Sequence, residues 1–167
     1  MNIKLDIVQE FSYNEPFWNN DDVTDKVDYS ETNAYRNVSI KNAEKILSEI
    51  VDSPEKRIDD KYVLAEFFPE DKFGRSLRPK EMRPNKQKIE AIKKYYNFRF
   101  DMKKQMDKDI HSTIKKMMKS KKPVLISHFT YTIPEEYTGF TCETNDKTYA
   151  ETKCKFYRIE VTVRKEK

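Results

Sequence analysis

The chain has 167 residues and a net charge of +4, with 37% of its residues charged and 37% hydrophobic, enough apolar material for one buried core without staples. No apolar run nears the roughly 20 residues of a bilayer span, and the first residues alternate charge instead of forming a secretory apolar segment, so a soluble, cytoplasmic chain is expected. Glycine occurs only at Gly74 and Gly139; phosphate loops and dinucleotide folds need several glycines for close backbone approach, which excludes both classes.

Ile3, Leu5 and Ile7 alternate with Asn2, Lys4 and Asp6, which predicts a half-buried strand from Asn2 to Phe11. Residues 14–32 lack periodicity and are rich in turn formers, so a long acidic loop is expected there. Its Phe17 and Trp18 either tuck into the core or, with Asp21 and Asp22, anchor a protein partner. From Ser39 to Asp52 the apolar residues Ala43, Ile46, Leu47, Ile50 and Val51 share one helical face, and Ser53-Pro54 ends the helix. The run KYVLAEFF, residues 61–68, reads as a strand closed by Pro69.

Residues 73–88 read as a basic loop, entering a helix at about Pro84. The aromatic crowd from Tyr95 to Phe100 predicts a break or kink, followed by a second helix from about Asp101 to Ser120. On that helix Met102, Met106, Ile110, Thr113, Ile114, Met117 and Met118 cover a broad apolar arc. Opposite them Lys104, Lys108, His111, Lys115 and Lys119 fall within a band of about 80°, a rail about 22 Å long. The β-prone run 124–132 predicts a central strand. A hairpin around Asn145-Asp146 follows, its second arm alternating Tyr157, Ile159, Val161 and Val163 with Arg158, Glu160, Thr162 and Arg164. The expected fold is a single α+β domain, an antiparallel or mixed sheet from the N-terminal and C-terminal strands with the central helices packed on one face.

Charge is unevenly spread. Residues 1–70 carry 16 acidic and 8 basic side chains, residues 71–125 carry 6 and 18, and residues 126–167 carry 7 of each. The basic middle, with Arg75, Arg78, Arg83, Lys86 and the rail lysines, suits phosphate neutralisation, and Tyr95 and Phe98 could stack on unpaired bases. The bland alternative is that the acidic third neutralises the basic third. Twenty-five lysines against 8 arginines, with 10 asparagines and 5 alanines, point to an AT-rich genome of bacterial, phage or plasmid type.

Two His-x-Thr motifs, His111–Thr113 and His128–Thr130, hold both histidines. Over these six residues the chain resembles the two-histidine phosphoesterases, which implies imidazoles acting as acid and base on a phosphodiester. That family sets both motifs on strands of a duplicated sheet; here His111 is placed mid-helix and no duplication is visible. Asp59, Asp60, Glu66, Asp101 and Glu160 show no metal-binding spacing. Cys142 and Cys154 are too few for a disulfide scaffold or a four-ligand zinc site, so neither metal nor cofactor is expected.

The leading expectation is a non-enzymatic accessory protein of phage or mobile-element type whose basic helical region binds DNA or RNA. The alternatives are an inhibitor of a host nucleic-acid enzyme, such as a CRISPR effector, restriction enzyme or polymerase, and a metal-independent ribonuclease using His111 and His128.

Overall fold

The structure, a computed structural model, describes residues 2–19, 22–68, 70–74, 85–133, 141–144 and 149–166, with side chains at 2–12, 30–68, 70–74, 85–133 and 157–166. It is an α+β fold in which three helices cover one face of an antiparallel sheet.

Strand β1 (Asn2–Asn19) pairs with β2 (Asp22–Val38) over almost its whole length. The segment 14–32, expected as a loop, is therefore mostly the far half of a hairpin. Its turn formers are densest in the run from Asn19 to Asp22, and the β-prone residues on either side find their backbone partners in each other. The sheet order is β2-β1-β5-β3, with β3 at Leu125–Ile133, β4 at Thr141–Thr144 and β5 at Tyr149–Glu166. Strand β4 pairs with the first residues of β5, from Thr144↔Tyr149 to Thr141↔Thr152, as the expected hairpin.

Among the described residues β3 pairs only with β5, so it is an edge strand and not the central one. Its exposure alternates, with Leu125, Ser127, Phe129 and Tyr131 half-buried and Ile126, His128, Thr130 and Thr132 exposed. That is the signature of a strand covered on one face; its continuous β-propensity masked the period.

Ser39 caps α1 (Ile40–Val51) by accepting from the Asn42 amide at 3.3 Å, and Asp52 ends it in the left-handed region at φ 50°. Ala43, Leu47 and Val51 are buried against the sheet. The run expected as a strand is helix α2 (Asp60–Phe67). Asp59 caps it through the Tyr62 amide at 2.8 Å, and the preceding turn is clamped by Asn97, whose side chain bonds both the N–H and the C=O of Ile58 at 2.8 and 3.1 Å. A short apolar run fits either structure; the cap and the clamp decide it.

Helix α3 (Lys86–Lys119) runs unbroken for 34 residues, about 51 Å. The break expected at 95–100 does not occur, because no proline or glycine lies between Asn85 and Ser120. The crowded aromatics instead serve different neighbours. Tyr96 joins a small cluster of Ile58, Val63, Phe68 and Ile92 under α2, while Phe98 packs on the main core. Tyr95 stacks with Arg99 against the end of α1, its ring 4.3 Å from the guanidinium.

A buried polar seam joins the layers. The Tyr157 hydroxyl accepts from Gln9 at 2.8 Å and donates to the Ile50 carbonyl. Arg99, 5% exposed, donates to the Val51 carbonyl at 2.6 Å. These two carbonyls belong to the last turn of α1, which has no internal partners for them and carries the negative end of the helix dipole. At the other end of the sheet, Lys165 donates to the Ser120 carbonyl at 2.7 Å and pins the C-terminus of α3 to β5.

Candidate nucleic-acid interface

The packing of α3 on the sheet fixes which way its lysines point. Met102, Met106, Ile110, Ile114 and Met117 are buried, so the opposite side, with Lys104, Lys108, His111, Lys115 and Lys119, is turned to solvent and all five are exposed. Of the apolar arc expected from sequence, Thr113 is half-buried and Met118 is 55% exposed. The ammonium of Lys104 lies 4.8 Å from the Phe100 ring, and His111 Nε2 lies 3.2 Å from Glu44 of α1. Among the described residues no carboxylate pairs with Lys104, Lys108, Lys115 or Lys119.

The same helical face is closed in the first half of α3. There Arg57 grips Asp101 at 2.6 Å, Asn97 clamps Ile58, and Lys93 pairs with Asp60 at 2.7 Å and Glu90 at 3.0 Å. Hydrogen bonds that Lys93 donates to Asp60 and Glu90 hold its ammonium above its usual pKa range. Lys103 is likewise spent on Asp107 at 2.6 Å. The open rail thus starts at Lys104, and Lys86, exposed at the start of α3, is cut off from it by the α2 cover.

The aromatics expected to stack on bases are structural. Phe98 packs on the core, and Tyr95 is wedged between Arg99 and Tyr96, with ring centroids 4.8 Å apart for the two tyrosines. Burial pushes the Tyr95 phenol up to about 12. Helical spacing places an aromatic on a face but does not say which neighbour covers that face. Arg75, Arg78, Arg83 and Asp21 lie outside the described residues, as do the side chains of Phe17, Trp18 and Asp22, whose backbones belong to the β1–β2 hairpin.

The two histidines are not brought together. His128 is on the sheet face opposite the helices, where Nδ1 lies 2.9 Å from the Thr162 hydroxyl and Nε2 3.4 Å from Thr130. His111 is on the helix layer, so the sheet separates the imidazoles. The acid–base pair of the ribonuclease reading has no common substrate position here. His128 shares its face with cross-strand ion pairs, Arg158 with Glu10 at 2.6 Å and Arg164 with Asp6 at 3.2 Å. The carboxylates considered for metal are spread out: Asp59 caps α2, Asp60 and Asp101 hold cations, and Glu160 lies 3.6 Å from Arg158. Among the described residues no three His, Cys, Asp or Glu side chains converge as a metal site requires.

Beside the rail lies a groove of about 550 Å³ between the C-terminal half of α3 and β3, lined by Ser112, Lys116, Ser120, Lys122, Leu125 and Phe129 among others. Sequence reading passed over it, although the run Lys119-Ser120-Lys121-Lys122-Pro123 gave its basic lip. Tyr131 closes one end by donating to Asp109 at 2.8 Å, and burial together with that bond pushes its phenol pKa upward.

Comparison with known proteins gives no match among family models, curated proteins or solved structures. No helix among the described residues is long and apolar enough to cross a membrane.

Proposed function

We propose that the protein is a non-enzymatic accessory factor of phage or mobile-element type that holds the phosphate backbone of DNA or RNA with the rail Lys104, Lys108, Lys115 and Lys119. The observation that carries this is the alignment of unpaired cations on one exposed helical face. Arg57, Lys93, Lys103, Arg158 and Arg164 are each paired with carboxylates, whereas the four rail lysines have no carboxylate partner among the described residues and share one exposed helical face. Other exposed lysines, among them Lys41, Lys45 and Lys94, also have no carboxylate partner among the described residues, so what marks the rail is its alignment along one helical face. A row of solvated ammonium groups about 22 Å long can contact several phosphates of one strand and release their counterions.

The test is fluorescence anisotropy with labelled single-stranded DNA, duplex DNA and RNA across a salt series, each sample then run on a denaturing gel. Binding that weakens steeply with salt and is lost on reversing all four lysines to glutamate, with intact oligonucleotide on the gel, is the expected result. No binding at low salt would overturn the proposal, and cleaved RNA would overturn its non-enzymatic part.

One observation favours the second reading, an inhibitor of a nucleic-acid enzyme. β1 pairs with β5 as far as Asn14↔Lys153, but its pairing with β2 continues to Asn19↔Asp22. That two-stranded extension bears Glu15, Asp22 and Asp25 against Lys26. An acidic ribbon of this kind is suited to a basic channel built for DNA or RNA. Truncating the ribbon would abolish inhibition while leaving oligonucleotide binding intact.

A further inference from the structure

Among the described residues β2 and β3 stand at opposite ends of the strand order β2-β1-β5-β3, and the two are built differently. β2 carries Asp22, Asp25, Lys26, Asp28, Glu31 and Arg36 along its length. Near its end Asn37 takes a left-handed φ of 57°, and the register with β1 shifts between Leu5 and Ile7. Charges and irregularities of this sort keep an edge from pairing with another chain. β3 has neither. Its nine residues, LISHFTYTI, contain no Asp, Glu, Lys or Arg; the register with β5 is unbroken from Leu125↔Lys165 to Ile133↔Tyr157. Val124 and Ile126 are 56% and 65% exposed. Its far side offers a regular row of backbone donors and acceptors with no strand on them among the described residues.

Beside that edge lies the groove under α3, whose lip carries the exposed ammonium groups of Lys116 and Lys122 and the hydroxyls of Ser112 and Ser120, over Leu125 and Phe129. A strand added outside β3 would send every second side chain toward this lip and the others to the open face beside Ile126, His128 and Thr130. The groove side presents Lys116 and Lys122, with Asp109 held by Tyr131 at one end, while the open face presents the uncharged β3 side chains Ile126 and Thr130 beside His128.

We propose that the β3 edge is a docking site for an extended segment of a partner protein, which adds as a further strand with acidic residues at alternate positions facing Lys116 and Lys122. A second copy of this chain fits poorly. Its own β3 contains no Asp or Glu to set against Lys116 and Lys122, whereas an acidic segment turns those two charges into attraction. The backbone supplies affinity and the alternating acids supply selectivity, as in other cases of strand addition.

The test uses the full chain and a fluorescein-labelled nonapeptide alternating valine with glutamate, beside a lysine-for-glutamate version and a version N-methylated at alternate amides. Hydrogen–deuterium exchange at residues 125–133 is followed in parallel. The expected result is slowed exchange across β3 with the glutamate peptide, binding about tenfold weaker with the lysine peptide, and none with the methylated one. The double change Lys116→Glu and Lys122→Glu, both on exposed side chains, should reverse the preference between the two charged peptides while leaving thermal unfolding unchanged. Unslowed exchange at 125–133 with saturating glutamate peptide, or equal binding of the charged peptides, would overturn the proposal. So would protection of β3 by self-association of the chain, or by a labelled oligonucleotide in the peptide's place. The peptide contacts Lys116 and Lys122 and not the four rail lysines, so its failure leaves oligonucleotide binding by the rail standing.

Discussion

Replacing lysines of α3 one at a time by glutamine separates a phosphate contact from a structural ion pair. Lys108, Lys115 and Lys119 are exposed and without a carboxylate partner among the described residues, while Lys93 and Lys103 have side chains only 25% and 18% exposed and are held by Asp60, Glu90 and Asp107. Each phosphate neutralised on duplex DNA adds about 0.9 to the slope of log affinity against log salt. Four rail contacts give a slope near −3.6, so affinity should fall about 150-fold between 50 and 200 mM salt. Removing one rail lysine should lower the slope to about −2.7, a fall of about 40-fold over the same range, and on single strands each step is about 0.7. Lys93→Gln and Lys103→Gln should leave the slope where it was. Anisotropy titrations at several salt concentrations read this directly, and the rail variants should stay within about 0.5 kcal/mol of parent stability because their side chains touch little. Equal slope changes from Lys103→Gln and Lys108→Gln, or no change from any rail variant, would refute the division of the helix into a spent half and an open one.

Two further outcomes test the frame that presents the rail. Tyr157→Phe removes the hydroxyl shared by Gln9 and the Ile50 carbonyl, leaving two buried polar groups unpaired, and should cost about 2–3 kcal/mol in urea unfolding; adding Gln9→Leu should recover part of that loss, and additivity of the two would contradict the network. The Tyr95 phenol, raised from 10.0 to about 12 by burial, is neutral in the folded chain where the unfolded chain already ionises. Its contribution is therefore intact below pH 10 and lost as pH climbs from 10 toward 12, by an amount on the order of 2 kcal/mol. Tyr95→Phe should flatten the alkaline fall in stability by that amount, measured by urea unfolding at several alkaline pH values, and an unchanged profile would mean that the ring is not desolvated.

What the sequence by itself determined is what a single element's periodicity can encode. The alternation of Ile3, Leu5 and Ile7 and of Tyr157, Ile159, Val161 and Val163 predicted both central strands of the sheet, and all seven side chains are buried. Ser39, the apolar face from Ala43 to Val51 and the stop at Ser53-Pro54 gave α1 almost to the residue. The angular sorting of methionines from lysines on the later part of α3 gave the exposed rail, because a helix with one greasy side has only one way to lie on a sheet.

Tertiary structure decided everything that depends on a second element. Residues 61–68 could extend or coil until Asp59 capped them and Asn97 clamped Ile58. Tyr95, Tyr96 and Phe98 looked like one disruptive cluster, yet they serve the end of α1, the α2 cluster and the main core, and α3 needs no break. The stretch 14–32 became mostly strand only because each half supplies the other's backbone partners. β3 is an edge because β5 has two sides and β1 occupies the other one. The histidines illustrate the limit most plainly: 17 residues apart in sequence, they fall on opposite sides of the sheet, since a helix layer and an open face are separated by the sheet itself whatever the spacing along the chain.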